Sequence, residues 1–241
     1  MEEHHSIIYG PVNALWQGFV RLVGQQERWG DVSIPDHAAN GLVVLLFCIA
    51  VLVPVARRLD LERPGKFQQM LELIVQGLRG LLDDIIGPGA GKRYLPIIGA
   101  FAFFIFLSNI TGLFFFLAPP TENPNTTFAL SLSAFFYYHF TGVRRHGIGY
   151  LKQFLGPIPW LIPLFLPLEI ISHFARALSL GLRLFGNIFG EHAATAVFIG
   201  MVPILVPMPM MALGIFGAIL QTFIFVMLTM VYIAGAEASD H

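Results

Sequence analysis

The chain has 241 residues, of which 56% are hydrophobic and only 12% charged, with a formal net charge of −1. A soluble domain carries about twice that share of charged residues, so the composition excludes an ordinary soluble protein. The near-neutral balance also excludes a basic face for nucleic acid. What remains is an all-α, polytopic membrane protein.

Residues 1–37 read as a polar N-terminal segment in which Glu2, Glu3, His4 and His5 form a solvated tail, not a metal site. The segment lacks the positive-then-apolar pattern of a cleaved signal peptide, so the first span is expected to direct insertion. Residues 38–241 read as a single membrane domain without an internal repeat. Residues 38–56 contain no charge and match the length needed to cross a ~30 Å hydrocarbon core. The single cysteine, Cys48, lies inside this run, which rules out a disulfide within the chain. Arg57, Arg58, Arg63 and Lys66 follow the span. From residue 67 to 86 the apolar positions Phe67, Leu71, Ile74, Leu78, Leu82 and Ile85 recur at helical spacing, with Gln68, Glu72, Gln76, Arg79 and Asp83 off that stripe. This pattern predicts an amphipathic interfacial helix.

A second charge-free run covers 94–121, and a third span is expected over 123–141, ending at Arg144, Arg145 and Lys152. The bias of Lys and Arg toward the cytoplasm places the ends of the first and third spans inside and the N-terminus outside. Residues 160–202 are helix-compatible apart from the early prolines Pro163 and Pro167, and at 1.5 Å per residue such a helix reaches roughly 64 Å. It must therefore tilt strongly or lie nearly in the membrane plane. Pro203, Pro207 and Pro209 interrupt it, and 210–236 forms a last charge-free helix that returns the C-terminus to the cytoplasm. The expectation is about five membrane-embedded helices plus the interfacial one.

Glu169, Ser172, His173, Arg176, Arg183, Asn187 and Glu191 recur at spacings of three, four and seven, so they share one helical face. Arg183 is the most informative of them. Its guanidinium stays charged at any accessible pH, and placing it at bilayer depth costs about 2.5–3.5 kcal/mol on insertion scales. No acidic residue lies between Glu169 and Arg183, and Glu191 is roughly 12 Å further along the axis. The counter-charge is therefore expected from another subunit. On the last helix Gly214, Gly217 and Gln221 share a face where a neighbouring backbone can approach closely. Gln221 is placed to hydrogen-bond toward the Arg183–Asn187 segment. Asn109 in the second run is either a helix-packing amide or a path residue, and His192 sits about 100° off the stripe. No nucleotide-binding loop, HExxH motif or paired cysteines occur, and neither a metal nor a cofactor is expected.

The run Ser179-Leu180-Gly181-Leu182-Arg183-Leu184-Phe185-Gly186-Asn187, the run from Leu220 to Ile233, and Pro64-Gly65-Lys66-Phe67-Gln68 closely resemble subunit a of bacterial F-type ATP synthases. The resemblance covers residue 38 to the end. It implies proton translocation against a rotating ring of c subunits, within an ATP synthase complex that also holds peripheral-stalk b subunits, in the bacterial inner membrane. It implies that Arg183 faces the ring's carboxylate and that the chain performs no bond chemistry itself. It also implies two offset half-channels. Asn187, Glu191, His192 and Gln221 fall near the extracytoplasmic path, and Glu169 and Ser179 fall toward the cytoplasmic one. His173 and Arg176 of the stripe join the candidate proton path. Many relatives carry a histidine or glutamate where this chain has Gly214, so the adjacent Glu191–His192 pair is expected to replace a pair formed across two helices. A self-contained cation channel or secondary transporter would need a carboxylate paired with Arg183 inside this chain, and the sequence places none there. A purely structural scaffold would tolerate polar replacements at Arg183.

Overall fold

The computed structural model describes residues 9–22, 35–60, 63–113, 118–150, 162–201 and 207–238. Among them the secondary structure is entirely helical. The helices are α1 (Tyr9–Leu22), α2 (Asp36–Arg57), α3 (Lys66–Ile85), α4 (Ala90–Thr111), α5 (Pro124–His146), α6 (Ile162–Met201) and α7 (Pro207–Glu237). Short 3₁₀ turns occupy Pro120–Glu122 and Gly147–Tyr150. His4 and His5, the expected start of the long helix at Trp160, and its expected break at Pro203 lie outside the described residues.

Among the described residues four helices are long and apolar enough to cross a membrane: Asp36–Arg57, Ala90–Thr111, Ile162–Phe198 within α6, and Pro209–Glu237 within α7. The protein is a multi-pass, all-α membrane protein. Helix α5 has a span's length but is more polar, with Thr127, Ser131 and Thr141 buried along it. It opens with proline at its first position, where the missing N–H is not needed. The Asn123 side chain accepts the Asn125 amide at 2.9 Å, and α5 closes on Arg144, Arg145 and His146, which suit the negative end of the helix dipole. At 40 residues, α6 extends about 60 Å, near twice the hydrocarbon thickness.

The amphipathic pattern predicted over 67–86 is realised as α3, Lys66–Ile85. Its exit is sharp: Gly87 and Gly89 take φ values of 127° and 88°, open to glycine and strained for other residues. Asp83 then accepts the amides of Gly89 and Gly91 at 3.0 and 2.9 Å, satisfying donors at the start of α4. The charge-free run 94–121 does not stay helical to its end. Helix α4 closes at Thr111, where the Gly112 and Leu113 amides bond back to Asn109 and Ile110. The N-terminal segment carries a helix, α1, which packs on α2.

The chain forms two compact units. One comprises residues 1–57, 103–126 and 185–220. In it Asn40 of α2 donates to the Ala118 carbonyl at 2.9 Å, and Thr121 donates to Asn109 Oδ1 at 2.9 Å. The other comprises residues 58–102, 127–184 and 221–241. Its core is Leu82, Tyr94, Ile98, Tyr138, Val226, Met230 and Ile233. The end of α7 is fastened there by Glu237, which is 7% exposed. Its carboxylate accepts from the Tyr94 hydroxyl, from Arg145 at 2.5 Å and from Arg93 at 3.4 Å. The Glu237 backbone carbonyl meets His146 Nε2 at 3.2 Å.

Candidate functional site

Helix α6 carries the polar residues singled out in the sequence, and packing sorts them into three environments. Gly181 sets the first. A Cβ there would lie 2.8 Å from the Phe128 ring and 2.8 Å from Ser131 Oγ, so α6 lies flush on α5. Ala177, Leu180 and Leu184 turn inward on that side, the last two 2% and 0% exposed. The opposite side then carries Ser179, Leu182 and Arg183, all exposed. Among the described residues no carboxylate lies within ion-pairing reach of Arg183. Asn187, one turn on, is exposed as well.

The second environment is the start of α6. Glu169 and Arg176 are half-buried and His173 is buried, so the residues predicted to share one face do not share one exposure. A stripe of this width includes side chains at its edge, and the edge occupied by His173 faces α5. His173 Nδ1 shares a 3.0 Å hydrogen bond with the Tyr138 hydroxyl, and its Nε2 lies 3.3 Å from Glu169 Oε1. The Arg176 guanidinium stands 5.8 Å from the centroid of the Tyr232 ring, a cation–π contact. Beside them His139 Nδ1 bonds the Tyr150 hydroxyl at 2.8 Å. Burial pushes the Tyr150 phenol above its ordinary value.

The third environment gathers around Glu191 and His192 in the unit holding residues 185–220. The Glu191 carboxylate fills the space where Gly214 has no side chain: a Cβ at Gly214 would overlap Glu191 Oε1. A Cβ at Gly217 would sit 3.5 Å from Asn187 Nδ2 and 3.6 Å from Glu191 Oε2. The two glycines of α7 therefore form the floor under Asn187 and Glu191. His192 turns the other way, with Nδ1 3.1 Å from Glu122 Oε2 and Nε2 3.2 Å from the Gly112 carbonyl. A Cβ at Gly112 would come within 2.8 Å of that imidazole. Glu122 is the residue that sequence reasoning passed over. It is the only acidic residue between Asp84 and Glu169, and that isolation in an apolar stretch was the available signal. In the other unit, Gln221 is 4% exposed, and its Nε2 has no hydrogen-bond partner among the described residues. Asn109 is 3% exposed; its oxygen accepts from Thr121, and its Nδ2 has no partner among the described residues. Among the described residues no group of histidine, cysteine or acidic side chains could hold a metal ion.

The family model of the ATP synthase A chain matches residues 39–234. The chain belongs to the ATP synthase subunit a family. It is 46% identical to ATP synthase subunit a 1 of Syntrophotalea carbinolica, over 85% of this chain and 87% of that protein. ATP synthase subunit a 3 of Pelobacter propionicus is 40% identical over 92% of this chain and 98% of its own length. ATP synthase subunit a of Geotalea daltonii is 39% identical over 83% and 86%. Family membership makes the chain a component of the ATP synthase complex, and the complex's bond chemistry is not located in this subunit.

Proposed function

We propose that this subunit a chain is the proton-translocating stator of an F-type ATP synthase, with Arg183 facing the carboxylate of a rotating c ring. The observation that carries the reading is the exposure of Arg183 without a carboxylate partner among the described residues. A fixed guanidinium at bilayer depth is tolerable when a partner presents an anion to it. A ring carboxylate gains the same benefit when ionised, because it cannot face lipid cheaply. Once protonated it rotates into the bilayer. The arginine also repels a proton moving straight from one access path to the other, so flow is tied to rotation. Each proton delivers ~2.3 kcal/mol per 100 mV of membrane potential.

In this reading Asn187, Glu191, His192 and Gln221 line the extracytoplasmic access path, and Glu122 joins them through His192. Glu169, Ser179, His173 and Arg176 belong to the cytoplasmic path. The N-terminus lies outside the bacterial inner membrane and the C-terminus inside. The strongly tilted α6 and α7 lie along the ring, and the b subunits complete the stator. Glu191 takes the place of the ionisable side chain that many relatives carry on the last helix. The room it needs is supported by the missing side chain of Gly214.

Inverted membrane vesicles carrying Arg183→Ala test the reading. ATP-driven acidification should disappear while the complex stays assembled, and passive proton leak should rise once the catalytic head is removed. Pumping near the wild-type level would refute the proposed role of Arg183.

A further inference from the structure

A half-buried histidine, His139, and a buried one, His173, lie side by side in the unit of residues 58–102, 127–184 and 221–241, each met at Nδ1 by a tyrosine hydroxyl. The imidazole centroids of His139 and His173 are 4.9 Å apart. Of the two pairs, Tyr138–His173 leads outward. Tyr138 is 2% and His173 3% exposed, whereas the Glu169 side chain, one turn back on α6, is 34% exposed. His173 Nε2 stands 3.3 Å from Glu169 Oε1, within ion-pairing reach. Tyr138, His173 and Glu169 thus run in a line from the interior to a half-exposed carboxylate. Arg176, His139, Tyr150 and Tyr232 are the other polar or charged groups ranged around that line.

A neutral imidazole carries one N–H, and the partner at one nitrogen decides which atom bears it. When the Tyr138 phenol donates to Nδ1, the proton sits on Nε2, opposite the carboxylate. The other tautomer turns a bare Nε2 lone pair toward a carboxylate oxygen. It also leaves the phenol hydrogen to seek an acceptor among the rings of Phe135, His139 and Tyr232. A buried donor deprived of its acceptor is as unfavourable as a lost hydrogen bond. Both effects select the same tautomer.

We infer that Tyr138 is a positioning residue that locks His173 in the Nε2–H tautomer, so that His173 holds the Glu169 carboxylate in one orientation. The inference rests on the placement of Glu169 in the proton path and adds the side chains that hold it there. Such outer partners fix the orientation of a functional group much as they do around metal ligands.

The test uses the assembled ATP synthase, with ¹⁵N-histidine-labelled subunit a studied by solid-state NMR. The His173 resonance is assigned by its loss in His173→Leu. The wild type should show the Nε2–H tautomer, and Tyr138→Phe should convert it to a mixture or to Nδ1–H. In parallel, Tyr138→Phe should slow ATP-driven pumping about fivefold, the weight of one hydrogen bond, and should add nothing in a His173→Leu background. An unchanged tautomer in Tyr138→Phe overturns the inference, as does a pumping loss that persists without His173. Glu169→Gln separates the two layers. If it pumps like the wild type, the placement of Glu169 in the proton path fails. If it is impaired while Tyr138→Phe changes neither signal, only the positioning role fails.

Discussion

Two sets of arginines in the same unit have opposite surroundings. Arg93 and Arg145 converge on Glu237, a buried carboxylate that also takes the Tyr94 hydroxyl. Arg183 projects from α6 with leucines around it and no carboxylate in reach among the described residues. The first set is paired within the chain on one carboxylate, and that cluster joins the ends of α4, α5 and α7. The second has no such pairing among the described residues, and we propose that a partner supplies it. A charge paired within its own chain helps hold the fold, whereas a charge left exposed in an apolar segment is, in the proposed reading, where another subunit docks.

Mutations should separate the two roles. The largest expected effect is at Arg183: Arg183→Gln should abolish ATP-driven pumping while the yield of assembled complex stays near normal. Poor assembly of that variant would put Arg183 with the fastening arginines and break the contrast.

Next comes Gly214→Ala, which drives a methyl group into the Glu191 carboxylate. Overpacking of this kind costs about 1–3 kcal/mol, and pumping should fall roughly tenfold as Glu191 is displaced. Shortening the side chain with Glu191→Asp should recover much of the loss. Failure of that recovery, measured as pumping rate per assembled complex, would show that Glu191 is not what fills the space above Gly214.

Glu237→Ala removes the acceptor of the buried Tyr94 hydroxyl, an effect of about 1–3 kcal/mol. Thermal unfolding of the purified complex should begin several degrees lower, with pumping per intact complex little changed. Arg93→Ala should be nearly silent in the same assay, because Arg93 is 67% exposed and such pairs are screened. A large pumping loss in Glu237→Ala without a thermal shift would contradict a purely fastening role. A smaller loss of pumping than at Gly214 is expected from Glu122→Gln, which keeps the shape but not the charge facing His192. Pumping should fall by about two- to fivefold, as expected for one partly exposed charged hydrogen bond.

Different residues were legible in the sequence for different physical reasons. Arg183 stands out because a permanent charge in an apolar run has few explanations. The helix at Lys66–Ile85 shows in its periodicity, since one face meets apolar surroundings and the other water. The end of α4 was hidden, because a charge-free run says how far a segment is apolar and not where its backbone turns. Helix α1 was hidden for the converse reason, lying in a segment whose composition reads as polar. Glu122 and Glu237 gained their roles only through chain segments 70 or more residues away, and no local pattern records such contacts. His173 was placed on the right helix, but its inward turn depends on Tyr138 of α5. Spacing along α6 alone cannot report that.

The most direct measurement of the central claim is disulfide cross-linking in membranes between Arg183→Cys and a cysteine replacing the ring carboxylate. A cross-linked product of subunit a with one ring subunit, absent when the cysteine is instead placed at the inward-facing Leu184, is the result this account predicts. Equal cross-linking from both positions, or none from Arg183→Cys in an assembled complex, would contradict it.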